Sequence, residues 1–153
     1  MTNSPMGNKI LQDAVEQLSS LPGIGKKSAL RFALYLLKQP MENVERFGNS
    51  IISLRRDVKY CTECNMISEG DKCSICSDLK RDHHTVCVVE SLRDVLSIEA
   101  TGEYKGVYHV LGGVISPMDG VGPSDLPIDH LCRRVTESQV DEVILALSTG
   151  MEG

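Results

Sequence analysis

The residues predict an α+β chain in three parts: a helical front, a small segment organised by cysteines, and an α/β domain with a parallel sheet. Three observations predict it. Apolar residues recur at helical spacing through the first 59 positions. Two Cys-x-x-Cys pairs then interrupt all periodicity, and beyond residue 84 short β-branched runs alternate with helical patterns. The parts are therefore drawn as 1–59, 60–84 and 85–153.

In the front part Ile10, Leu11, Ala14, Val15 and Leu18 line one helix face, and Leu30, Ala33, Leu34 and Leu37 line another. The stretch Leu21 to Gly25 separates them as a tight turn. Pro40 stops the second helix. Val44, Phe47, Ile51, Leu54 and Val58 make a third amphipathic helix with Arg46, Arg55 and Arg56 on its polar sides.

Tyr60 to Asp82 has turn-forming residues and no apolar periodicity, so metal must organise it. Val86 to Val89 then reads as a strand, and a helix follows with Leu92, Val95, Leu96 and Ile98 on one side. Val107 to Leu111 is a second strand, Gly112 to Pro127 a turn-rich loop, Ile128 to Glu137 a helix, and Val143 to Leu147 a third strand. Strands alternating with helices imply a parallel sheet. A crossover helix is expected after the third strand, and the sequence reaches Gly153 just beyond it, which reads as a truncated C-terminus.

Composition is that of an ordinary globular protein, 41% hydrophobic and 24% charged. With no Trp, two Phe and four Tyr, the chain is poor in platforms for stacking bases, so any nucleic acid would be held chiefly by its backbone. The net charge of -5 is unevenly spread. Up to Lys59 there are nine Lys or Arg against five Asp or Glu, a balance of +4; beyond it there are seven against sixteen, a balance of -9. A basic front and an acidic back imply separate jobs. No apolar run approaches the roughly 18 residues of a membrane span and no leader pattern is present, so a cytoplasmic protein with reduced cysteines is expected. Cys87 and Cys132 sit in apolar patterns and read as small buried hydrophobes.

Leu21-Pro22-Gly23-Ile24-Gly25-Lys26-Lys27 sets two glycines one residue apart between helices, where backbone angles that other residues resist are required. Small glycines let a phosphate approach the main chain, and the N–H groups and dipole of the following helix favour its charge. Lys26, Lys27 and Arg31 add attraction. This is a helix-hairpin-helix, and Gly23, Gly25, Lys26, Lys27 and Arg31 are its expected DNA-binding residues. A nucleotide-binding loop fails on spacing, because Ser20 stands where its first Gly belongs, and a plain helical turn with solvated lysines is the simpler alternative.

Cys61, Cys64, Cys73 and Cys76 can give four thiolates to Zn²⁺ in a closed tetrahedron, which makes the site structural. An iron–sulfur cluster or redox use are the competing readings. Glu90 follows the first strand of the α/β part, Asp94 lies four residues on, and Glu152 follows the third strand. Convergence of the three would offer oxygen ligands to Mg²⁺, and helix capping or solvation is the alternative for each.

Helix-hairpin-helix, four-cysteine segment and α/β domain in this order resemble the RecR family, whose last part is a topoisomerase-primase (Toprim) domain. The run Thr101-Gly102-Glu103-Tyr104-Lys105-Gly106, continuing from Tyr108 to Gly113 and on to Ser116-Pro117, is similar to that family's most recognisable stretch. The resemblance covers the whole chain. It implies a non-enzymatic recombination mediator in DNA repair that binds gapped, single- and double-stranded DNA and acts with RecO and RecF to load RecA. It also implies a homo-oligomer, a ring-like tetrameric clamp in the intact family and a dimer for a shortened chain. By resemblance Lys27 and Arg31 face DNA, the four cysteines hold zinc, and Glu90 and Glu152 lie on a partner-binding acidic surface, to which Asp94, four residues beyond Glu90, is assigned with them. Catalytic Toprim enzymes carry an Asp-x-Asp pair where this chain shows only Glu152, which speaks against the alternative of a Mg²⁺-dependent nuclease or strand-passing enzyme.

Overall fold

The structure, a computed structural model, describes residues 7–153, which form two compact units, up to Arg56 and from Asp57 onward.

The first unit is three helices: α1 (Lys9–Ser19), α2 (Lys26–Leu37) and α3 (Met41–Arg56). Asn8 starts α1 by accepting the Leu11 N–H on its side-chain oxygen at 3.2 Å. Small residues let α1 and α2 approach closely. Val15, Ala29 and Ala33 form the buried core, with Leu11, Leu18, Ile24 and Leu30 packed against it. α3 ends at Arg56, before Val58, and contains no fully buried residue.

The second unit begins with a two-residue hairpin, β1 (Lys59–Tyr60) against β2 (Ile67–Ser68), and a one-turn helix, α4 (Ser74–Ser77). A three-stranded parallel sheet follows, with β3 (Asp82–Val89) between β4 (Gly106–Val110) and β5 (Glu142–Ala146). α5 (Leu92–Glu99) joins β3 to β4, and α6 (Ile128–Glu137) precedes β5. Val86, Cys87, Val88 and Val89 are all buried, as a central strand covered on both faces requires.

The first strand is longer than its apolar run predicts. β3 starts at Asp82, with an irregularity in pairing between Asp82 and Val86. The sequence division at residues 84 and 85 does not appear as a gap in packing, because Cys61, Cys64, Cys73 and Cys76 share one core with Val86, Val107 and Tyr108. Cys87 is buried as expected, but Cys132 is exposed. α6 turns Ile128, Leu131, Arg134 and Val135 inward, a spacing that leaves Cys132 on the outer side.

The two outer strands of the sheet differ. Every residue of β4 is buried, whereas every residue of β5 is exposed, Leu145 to 69%. The cysteine segment covers β4. The Val110 N–H donates to the Cys64 carbonyl at 2.8 Å, and Arg134 donates from one guanidinium nitrogen to the carbonyls of Tyr108 and Glu63 at 2.5 and 3.2 Å. An otherwise open sheet edge is thereby closed by the turn that presents the cysteines.

Candidate metal centre and nucleic-acid interface

The four thiols meet because two tight turns aim them at one point. In the first turn the Cys61 N–H donates to the Met66 carbonyl at 2.7 Å and the Asn65 N–H to the Cys61 carbonyl at 2.9 Å. Asn65 sits at φ 62°, a left-handed conformation that Asn tolerates better than most residues. In the second, Cys73 caps α4 and its sulfur accepts the Cys76 N–H at 3.4 Å. All four sulfurs lie within 4.8 Å of one another, and Cys64 and Cys73 approach to 3.6 Å. Zn–S bonds of about 2.3 Å in a tetrahedron separate sulfurs by about 3.8 Å, so the donor set fits this ion.

Its electrostatics point the same way. Donation from Cys76 draws the Cys64 thiol down to about 6, while burial pushes Cys73 up to about 11 and thiolate formation at Cys64 pushes Cys76 higher still. One thiolate forms readily and opposes the next. A cation is needed to hold all four, and with four sulfur ligands it keeps no position for substrate. Lys72 pairs with Glu63 beside the cluster, outside the ligand set. His83 and His84 also stay outside: His83 meets the Asp78 carbonyl at 2.9 Å and His84 the Gln139 carbonyl at 2.8 Å.

In the helical unit the Ile24 N–H donates to the Leu21 carbonyl at 3.1 Å across Pro22 and Gly23. Gly23 has φ 80°, so this is the proline-glycine pattern of a type II turn. Gly25 then begins α2 in extended conformation and supplies no capping oxygen. The amides of the first turn of α2 have no side-chain acceptor from the cap and point outward. A Cβ built on Gly23 or Gly25 would meet nothing within 4 Å, so the main chain here is open to a ligand. Lys26, Lys27 and Arg31 are exposed, and the Arg31 guanidinium lies 5.4 Å from the centre of the Phe32 ring. Turn, bare helix end and cations thus occupy one end of α2.

The three carboxylates do not form a metal site. Among the described residues the cysteines are the one group of three or more such ligands close enough to hold an ion. Asp94 is turned back to accept the Ser91 N–H at 2.9 Å and the Ser91 hydroxyl at 3.0 Å, closing a capping box on α5. Glu152 accepts from the Ser116 hydroxyl at 3.1 Å. Glu90 follows β3 as expected, and its carbonyl takes the Gly112 N–H at 2.8 Å.

Sequence reasoning missed the side chains that brace the second unit, Arg134 between the zinc segment and β4 among them. Arg81 pairs with Glu99, which also accepts the Tyr108 hydroxyl at 2.7 Å, and the Tyr104 hydroxyl donates to the Val107 carbonyl at 2.8 Å. Burial raises both phenols far above their usual range. A cation at an inward position of α6, as Arg134 is, was the one sequence signal available.

Comparison with known proteins follows this layout. A RecR helix-hairpin-helix model matches residues 11–54, a RecR four-cysteine zinc finger model 58–78, and a Toprim domain model 84–153. With the geometry above, the second match makes the four cysteines a structural zinc site. Recombination protein RecR of Bacteroides thetaiotaomicron is 58% identical over 151 residues, 99% of this chain and 74% of that protein. The Porphyromonas gingivalis protein of the same name is 56% identical over 146 residues, covering 95% of this chain and 70% of its own length. That of Flavobacterium johnsoniae is 51% identical over 146 residues, 95% and 71%. By identity across nearly its whole length and by its three matching parts in order, this chain belongs to the RecR family.

Proposed function

We propose that this chain is a DNA-binding recombination mediator that holds gapped DNA without cutting it and, in the cytoplasm with RecO and RecF, helps load RecA. The observation that carries the reading is the hairpin: a positive-φ glycine, an uncapped helix start and three exposed cations, a backbone-binding arrangement indifferent to base sequence. Relatives named recombination protein RecR support the pathway. Among the described residues no helix is long and apolar enough to cross a membrane.

Binding is favoured over cutting because Asp94 is engaged in a helix cap, Glu152 bonds Ser116, and the Tyr104 and Tyr108 hydroxyls are tied inward. The acidic second unit suits basic partner surfaces. Exposed Leu37, Met41, Ile51 and Leu54 in the helical unit support assembly of several copies into a ring-like clamp.

Retention of gapped duplex across a salt series with Mg²⁺ present tests the proposal. Salt-sensitive retention of full-length DNA is expected, and the Lys27→Ala, Arg31→Ala double variant should weaken it for all sequences and reduce the salt slope by about 2. Unchanged affinity in that variant sinks the assignment. Shortened DNA that disappears with Glu90→Ala would make the chain an enzyme.

A further inference from the structure

Beyond Lys59 the chain carries seven Lys or Arg against sixteen Asp or Glu, and two of those seven, Arg133 and Arg134, are neighbours on α6. They border a pocket. Thr62 and Glu63 of the zinc turn line it together with His130, Arg133, Arg134 and Glu137 of α6, around a space of about 400 Å³. The four helix residues stand at i, i+3, i+4 and i+7, which sets them on one stripe of the helix.

Contacts outside the pocket hold its lining in place. Arg134 pins α6 to the zinc turn through the Glu63 carbonyl, and the His130 ring rests edge-on against the buried His109 ring at 5.2 Å between centres. The Glu63 carboxylate is balanced by Lys72. Arg133 is different. It is exposed, and among the described residues its side chain enters no ion pair, nor does that of Glu137. A fixed frame with an unspent cation is suited to bind an anion at little ordering cost.

The signs of the lining decide which anion. A guanidinium matches a carboxylate or a phosphate equally well. A nucleic-acid backbone, however, offers acceptors only, and would set its phosphates against the Glu137 carboxylate. A peptide carries acceptors and N–H donors together, so its side-chain carboxylates can meet Arg133 and His130 while a main-chain N–H meets Glu137.

We infer that the pocket between the zinc turn and α6 docks an acidic peptide segment of a partner protein. The inference does not depend on the DNA-binding hairpin. It gives the acidic second unit one basic site, of opposite sign to the rest of its surface.

Fluorescence anisotropy on the whole, zinc-loaded chain tests it with three labelled probes: a Gly-Asp-Glu-Asp-Gly peptide, its Gly-Asn-Gln-Asn-Gly counterpart and a duplex. Binding of the acidic peptide should fall with salt. Arg133→Gln, at an exposed position, should weaken it about tenfold and His130→Gln about threefold, because each removes a partner of a carboxylate. Arg93→Gln, an exposed cation of the same unit outside the pocket, should leave it within about twofold, as should the Lys27→Ala, Arg31→Ala double variant. Equal binding of the uncharged peptide, or no loss in Arg133→Gln, overturns the site. Duplex binding weakened by Arg133→Gln would make the pocket a phosphate site, and a smaller assembly on sedimentation of that variant would make its occupant a second copy; either result overturns the peptide.

Discussion

The two units of this chain are stabilised in opposite ways. Among the described residues of the helical unit three small side chains, Val15, Ala29 and Ala33, form the buried core, and Leu37, Met41 and Leu54 stay exposed. In the second unit fourteen buried residues form one cluster that includes all four zinc ligands. The helical unit therefore keeps its charges and backbone amides facing outward, where a phosphate can reach them, at the expense of core. The second unit commits its polar groups to itself: Arg81 to Glu99, Arg134 to two carbonyls, and Asp94 to a cap. A surface that must bind is left with free valences, and a scaffold that must not change shape consumes them.

Removing a zinc ligand should break this contrast most sharply. Cys64→Ser should abolish stoichiometric zinc and destabilise the second unit by about 4 kcal/mol or more, since metal binding is part of its folding energy. The β4 edge, bonded to the Cys64 carbonyl, should lose amide protection with it, while α1 and α2 keep theirs. Hydrogen exchange read residue by residue checks this, and equal loss in both units would show that they are not independent.

Acid should act on the same side. His109 is 0% exposed, its Nε2 meets the Pro127 carbonyl at 3.0 Å, and its Nδ1 has no partner among the described residues. Burial lowers its folded value from 6.5 to about 4. Below pH 6.5 the unfolded chain therefore takes up a proton that the folded chain refuses. Stability is full above that pH and should fall by about 3 kcal/mol on descending to about 4. Melting of the second unit followed from pH 7 to pH 4 should show the loss, and His109→Gln should flatten it.

Smaller effects sharpen the comparison. A Cβ at Gly106 would run into the Tyr104 hydroxyl and the Thr85 carbonyl, so Gly106→Ala should cost about 2 kcal/mol, read from denaturant unfolding of the second unit. In the helical unit Asn8→Ala removes the cap of α1 and should cost about 1 kcal/mol, visible as fraying of that helix by circular dichroism. A Gly106→Ala chain as stable as the original would mean that the Tyr104 ring can yield.

Much of the architecture is legible in the sequence because its signals are local. The apolar periodicity of Ile10 to Leu18 and of Leu30 to Leu37 becomes α1 and α2, and the run Val86 to Val89 becomes the C-terminal half of β3. The spacing of Cys61, Cys64, Cys73 and Cys76 is enough to expect one metal site. Glu90, Asp94 and Glu152 are harder, because an acidic residue after a strand looks the same whether it binds an ion or caps a helix. In the Ser91-x-x-Asp94 pattern the geometry makes it a cap. Cys132 departs from expectation because an apolar neighbourhood in sequence does not say which side of an amphipathic helix a residue occupies.

By itself the sequence determined the three front helices, the strands and helices of the α/β part, and the open hairpin, since each depends on residues within a few turns of one another, and the paired cysteine spacing named the ligand set but not the short strands and helix that present it. Tertiary structure alone decided that the zinc turn seals the β4 edge, and that Arg134 and Arg81 tie distant segments together. It also decided that β5 is exposed while β4 is not. Those facts join residues tens of positions apart, and no local propensity or spacing encodes which carbonyl a guanidinium will reach once the chain has closed on itself.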